Sequence, residues 1–136
     1  MVLHCMDFRL GSAIRDEMER RGWLDDADIV AIAGAGKTIV SAEPASWHEA
    51  AMTHIALSKK LHETKRLVIM NHTDCGAYGG RAAFDGDADI EAVKHRADLK
   101  AAAGVVAKEH PDLGIFLVLV HIDDEGKISF EDVPRE

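Results

Sequence analysis

Leu67-Val68-Ile69-Met70-Asn71-His72-Thr73-Asp74-Cys75-Gly76 joins a continuous apolar run to a His-x-x-Cys pair and a glycine. Four large apolar residues in a row, closed by turn formers, read as a strand over 67–71 that is buried on both faces. His72 and Cys75 are both good zinc ligands, and the chain has only one other cysteine. That residue, Cys5, ends the apolar lead-in Val2-Leu3-His4 and opens Cys5-Met6-Asp7-Phe8-Arg9. The two short segments are expected to meet in space and hold one metal ion.

The elements around this stretch set how they can meet. Val2-Leu3-His4 reads as a first strand, and a helix opened by Gly11 or Ser12 carries Ile14 and Met18 on one face and stops at Gly22. A second strand is expected over 28–33, broken by Gly34 and Gly36. Ser46 and Glu49 fit a capping box that starts a helix running to about Glu63. A long helix over 88–109 is stopped by Pro111, an apolar strand follows over 115–122, and the turn Asp123-Asp124-Glu125-Gly126 returns the chain into an edge strand over 127–130.

Strands alternating with helices imply an α/β fold, three layers α-β-α, with helices on both faces of a mostly parallel sheet. The expected strand order is 2-1-3-4-5, with the last strand an antiparallel edge. In such sheets ligands bind beyond the carboxyl ends of the strands, where the winding reverses. In this order the reversal lies between the first strand, which ends at Cys5, and the third, which leads into His72 and Cys75.

The chain has 136 residues, the size of one domain covering 1–136. A net charge of −8 argues against nucleic acid or an anionic membrane surface as partner. No apolar run reaches the length of a membrane span, and the start lacks the layout of a signal peptide, so a cytoplasmic location is expected. In a reducing compartment two cysteines point to metal binding or reactivity before a disulfide.

Three protein ligands leave zinc one position for water or substrate, whereas a fourth closes the site. Asp7, two residues past Cys5, is the natural fourth ligand; Arg9, two further on, could instead hold its carboxylate in a bidentate pair. Other readings stand beside this one: His72 as a hydrogen-bonded core histidine with two buried thiols, or a Cys5–Cys75 disulfide.

Cys5-Met6-Asp7-Phe8-Arg9 and His72-Thr73-Asp74-Cys75-Gly76 resemble the Cys-x-Asp-x-Arg and His-x-x-Cys-Gly motifs of the β-carbonic anhydrase family. Ala33-Gly34 and the closing hairpin, 122–130, extend the resemblance over most of the chain. It implies zinc held by Cys5, His72 and Cys75, Asp7 and Arg9 as the catalytic dyad, and reversible hydration of carbon dioxide to bicarbonate. A related zinc hydrolase for carbonyl sulfide or carbon disulfide, and a non-catalytic zinc domain closed by Asp7, are the alternatives. The family is usually dimeric or higher, which implies a homodimer or larger assembly. The sequence departs from the family in three places. Helical sequence usually precedes the first strand, polar residues usually flank Ala33-Gly34, and a serine usually stands where this chain has Phe8.

Ala31-Ile32-Ala33-Gly34-Ala35-Gly36-Lys37-Thr38 satisfies a relaxed phosphate-loop pattern, but Pro44 leaves little room for the helix such a loop requires. A Gly-rich connection with Lys37 near the pocket rim is the expectation. His48 and His54 do not share a helix face; His62, His95 and His110 sit among charges, and His4 and His121 lie in strands. Asp85, Asp87 and Asp89 lack the glutamate of a calcium loop and read as a helix N-cap region. Trp23, Trp47, Phe84 and Phe116 are candidates for core or interface.

Overall fold

The computed structural model describes residues 1–41 and 43–136. Its strands are β1 (Val2–His4), β2 (Ile29–Ala31), β3 (Arg66–His72), β4 (Gly114–Ile122) and β5 (Ile128–Val133). Its α-helices are α1 (Gly11–Arg20), α2 (Gly36–Val40), α3 (Ala45–His62) and α4 (Ala88–Glu109), and 3-10 turns cover Phe8–Leu10, Gly76–Tyr78 and Arg81–Phe84. The five strands form one sheet in the order β2-β1-β3-β4-β5. Every neighbouring pair is parallel except β4 with β5, as the sequence predicts.

Two apolar layers hold the sheet between helices. On one face Leu3, Ile69, Leu117 and Leu119 pack with Ile39, Ile55, Leu99 and Val106 of α2, α3 and α4. On the other Val2, Val68, Met70, Val118 and Val120 pack with Leu10 and with Ile14 and Met18 of α1. Successive strand residues point to opposite faces, so the continuous apolar run in β3 serves both layers. The helix limits follow local chemistry. Asp87 caps α4 by accepting from the Asp89 and Ile90 amides, which accounts for the acidic cluster. Gly22, at φ +72°, lets the chain leave α1 through a left-handed residue.

Three expectations need correction. The capping box at Ser46 and Glu49 is absent: Pro44 occupies the N-cap and α3 starts at Ala45, so Ser46 already lies inside the helix. Pro44 prevails because its extended backbone places its carbonyl to accept from the Trp47 amide. β2 stops at Ala31 rather than 33, because the chain turns there and the Ile32 carbonyl accepts from Ala35 N. There is also room for a helix before Pro44, the five-residue α2. None of the four noted aromatics is fully buried: Trp47 and Phe116 are exposed, and Trp23 and Phe84 are half-buried. Among the described residues no helix is long and apolar enough to cross a membrane.

The register sets the site. His4 lies opposite Met70 in the parallel β1–β3 pair, so both strands run out at the same end of the sheet. Cys5 leaves β1 as Asn71 and His72 complete β3.

Candidate metal centre

Cys5, His72 and Cys75 come together as expected. All three are buried, and their donor atoms lie within 4.8 Å of one another. The two sulfurs are 3.9 Å apart and both cysteines are free, which rules out the disulfide. Two sulfurs at ~2.3 Å from a tetrahedral zinc would stand roughly 3.8 Å apart, so the spacing matches a shared ion.

The histidine provides an independent test of fit. His72 Nδ1 lies 2.8 Å from the Thr73 carbonyl, which can only accept, so the ring proton sits on Nδ1. Nε2 therefore carries a lone pair, and it is buried without a hydrogen-bond partner among the described residues. Leaving a buried polar atom unpaired is costly, and a cation between Nε2 and the two sulfurs would satisfy it. The Gly34 amide donates to Cys5 Sγ at 3.4 Å, a supporting contact for a thiolate. Gly34 sits at φ +78°, and a Cβ there would stand 3.0 Å from Ala77 Cβ, so the close approach requires glycine.

The thiols are electrostatically unequal. The hydrogen bond from Cys75, helped by His72 and the Gly34 amide, pulls the Cys5 thiol well below its usual value against the opposing effect of burial. That shared hydrogen bond, with burial added, pushes the Cys75 thiol up. Burial disfavours a charged His72, but the neighbouring Cys5 outweighs it and raises the imidazole. Cys5 thus gives up its proton first, and a bound cation would compete for the proton that remains on Cys75.

Of the two fates open to the Asp7 carboxylate, the structure shows the pair with Arg9. Asp7 Oδ1 accepts from Arg9 N and Nε, each at 3.0 Å, and Oδ2 accepts from Nη2 at 2.8 Å. This fork of bonds from Arg9 holds the Asp7 carboxyl at about 2, so it is ionised at any physiological pH. Its Oδ2 stands 3.9 Å from His72 Nε2, at the edge of the cluster of three donors. Phe8, between them in sequence, is 91% exposed.

Sequence reasoning did not single out Asp74, Glu91 or a buried role for His95. Asp74 accepts from Arg9 Nη1 through its carboxylate and from Nη2 through its carbonyl, both at 2.9 Å. Glu91 and His95 are fully buried, and His95 stacks on Tyr78 with ring centroids 4.3 Å apart. Positions 91, 95 and 98 lie one helical turn apart, and that polar stripe, Glu, His and Asp, was the available signal.

The phosphate-loop resemblance is spent inside the fold. Gly36 N donates to Asn71 Oδ1 at 2.9 Å, and the Lys37 ammonium donates to the Ala77 carbonyl, so the donors a phosphate would need are taken. His48, His54, His62 and His121 each have a local partner: the Ile39 and Ala50 carbonyls, Asp28, and Glu131.

A family model described as "Putative carbonic anhydrase" matches residues 1–131. An uncharacterized protein of Rickettsia bellii (strain RML369-C) is 26% identical over 138 residues, which span 100% of this chain and 84% of that relative. An uncharacterized protein of Rickettsia conorii (strain ATCC VR-613 / Malish 7) is 26% identical over 126 residues, 90% of this chain and 67% of the relative. No solved structure matches the chain.

Proposed function

The chain belongs to that carbonic anhydrase family, and from this premise we propose that it catalyses the reversible hydration of carbon dioxide to bicarbonate, with zinc held by Cys5, His72 and Cys75. The observation that carries the reading is the unpartnered Nε2 of His72, buried beside two thiols and 3.9 Å from an ionised carboxylate. A zinc ion at these three donors would supply Lewis acidity, lowering the pKa of a water from 15.7 toward about 7.

The protein's own groups then have separate tasks. Asp7 accepts a hydrogen bond from the attacking water and aims its lone pair, while Arg9 fixes the carboxylate from one side through its amide, Nε and Nη2. Because Arg9 holds Asp7 at about 2, Asp7 orients the water without retaining its proton, which leaves to solvent. Carbon dioxide and water thus become bicarbonate and one released proton. The Asp7–Arg9 pairing also favours this reading over a zinc domain closed by Asp7, because the carboxylate is engaged by Arg9. Two thiolates donate more charge than two imidazoles, so activity is expected to rise toward alkaline pH.

The test is stopped-flow hydration of carbon dioxide across pH 7–9, with metal content measured alongside and Cys75→Ser as control. One zinc per chain and a rate that rises with pH support the reading. One zinc per chain with no hydration anywhere in that range refutes it, and turnover of carbonyl sulfide in the same preparation would redirect it.

A further inference from the structure

Arg9 is gripped from two directions, and only one of them is Asp7. The other grip is the turn that carries the metal ligands. Asp74 lies between His72 and Cys75 in the left-handed region, at φ +54°, where a non-glycine residue must be held in place. Glu91 holds it from α4: its Oε1 accepts the Asp74 amide at 2.6 Å, and Oε2 accepts Arg81 Nε at 3.3 Å. Arg81 closes the frame, donating its amide to Asp74 Oδ1 at 3.0 Å and its Nη2 to the Ile122 carbonyl at 2.6 Å. Glu91 is fully buried, and a buried carboxylate is costly unless its geometry is well served. Here it is spent on one backbone amide of the metal-binding turn and on the arginine that braces the same residue.

Resting on the zinc reading above, we propose that Asp74 and Glu91 are positioning residues that keep the Asp7 carboxylate on Arg9 and off the metal. Glu91 fixes the turn, Asp74 holds the Nη1 side of Arg9, and Arg9 in turn holds Asp7. Asp7 Oδ2 stands 3.9 Å from His72 Nε2, so a small side-chain rotation toward the ligand cluster would make it a fourth ligand once Arg9 moved away. The open coordination position is then a property of a chain of five charges alternating in sign, Glu91, Arg81, Asp74, Arg9 and Asp7, not of Asp7 alone. A structural role without this coupling would loosen the whole turn and would not depend on Asp7.

Cobalt-loaded protein reads the open position directly, because an added thiocyanate can bind only where Asp7 does not. The unsubstituted protein is expected to show a thiolate-to-cobalt charge-transfer band and to bind thiocyanate. Asp74→Asn should bind one cobalt with the same band but take up thiocyanate at least about tenfold more weakly. Loss of a charge-assisted bond shifts the balance by roughly that factor, and apparent affinity falls with the population of the competent state. In an Asp7→Ala background the same Asp74→Asn substitution should have no further effect. Glu91→Gln should act in the same direction; Asp74 lies at the surface, so Asp74→Asn carries the test if Glu91→Gln does not fold. Unchanged thiocyanate affinity in Asp74→Asn overturns the inference and leaves the metal centre standing. A loss that persists without Asp7 also overturns it, as damage to the turn. Absence of the charge-transfer band from the unsubstituted protein refutes the metal reading itself, and the inference falls with it.

Discussion

Replacing Asp7 by Asn keeps the shape of the side chain and removes its charge, and the pair with Arg9 sets what should follow. In the fold the carboxyl is drawn from its ordinary 3.8 to about 2, with the Arg9 hydrogen bonds as the first cause. A difference of that size corresponds to about 2 kcal/mol at neutral pH. Arg9 is a third exposed, so solvent screening leaves about half, ~1 kcal/mol. The folded carboxyl is the stronger acid, so this stability is fully present above the unfolded value and is lost as pH falls through about 2. Urea unfolding of metal-free protein should therefore place Asp7→Asn about 1 kcal/mol below the parent from pH 7 down to about pH 4. Near pH 2.5 the gap should close to roughly a third of that. With metal restored, zinc content should be unchanged while carbon dioxide hydration drops on the order of 10²-fold. A stability gap that stayed constant to pH 2.5 would refute the ion-pair account. Loss of zinc from Asp7→Asn would make the carboxylate a ligand, contradicting its assignment as orienter.

Gly36→Ala should cost about 1–3 kcal/mol in urea unfolding. A Cβ at Gly36 would stand 2.8 Å from Asn71 Oδ1 and 3.3 Å from Ile69 Cγ2, both buried, and would disrupt the hydrogen bond that the Gly36 amide donates to Asn71 Oδ1; a variant as stable as the parent would show that the contact relaxes freely. Glu17, held at about 2 first by Arg20 and then by Arg21, ties α1 to β5 because Arg21 also pairs with Asp132. Its contribution is present above the ordinary carboxylate value and is lost toward about pH 2, so Glu17→Gln should be less stable at neutral pH and show a shallower decline in stability on acidification, followed by circular dichroism.

The strand order and the three donors were legible because both rest on short-range patterns. The apolar run in β3 and the run that became β4 announce buried strands, and Cys5, His72 and Cys75 stand where two such strands give out. The limits of α4 were legible for the same reason, with Asp87 to start it and Pro111 beyond its end. What stayed hidden depends on neighbours far along the chain. Asp74 looks like a spacer inside His72-Thr73-Asp74-Cys75 until Arg9 arrives from 65 positions away. Glu91, His95 and Asp98 look like a solvated helix face, and only the packing of Tyr78 and the turn between His72 and Cys75 against α4 buries them. α2 was missed because it is five residues long and has no side-chain cap, so its stability comes from packing rather than from anything local. Ser46 and Glu49 had the letters of a cap, but Pro44 had already started the helix.

The separation of Cys5 from Cys75 by 70 positions carries a consequence for how the molecule assembles. β1 leaves the ribosome first and lies inside the sheet, yet it pairs on both sides with strands that emerge later. Bringing its end to that of β3 costs ~4 kcal/mol of loop closure, with only a three-residue strand to repay it. β1 is therefore expected to dock late in folding. A cation held by Cys5, His72 and Cys75, as proposed, would close the same loop and act as a clasp on β1. Stripping the metal should therefore speed amide hydrogen exchange first in Val2–His4, while the ladder between β3 and β4 stays protected.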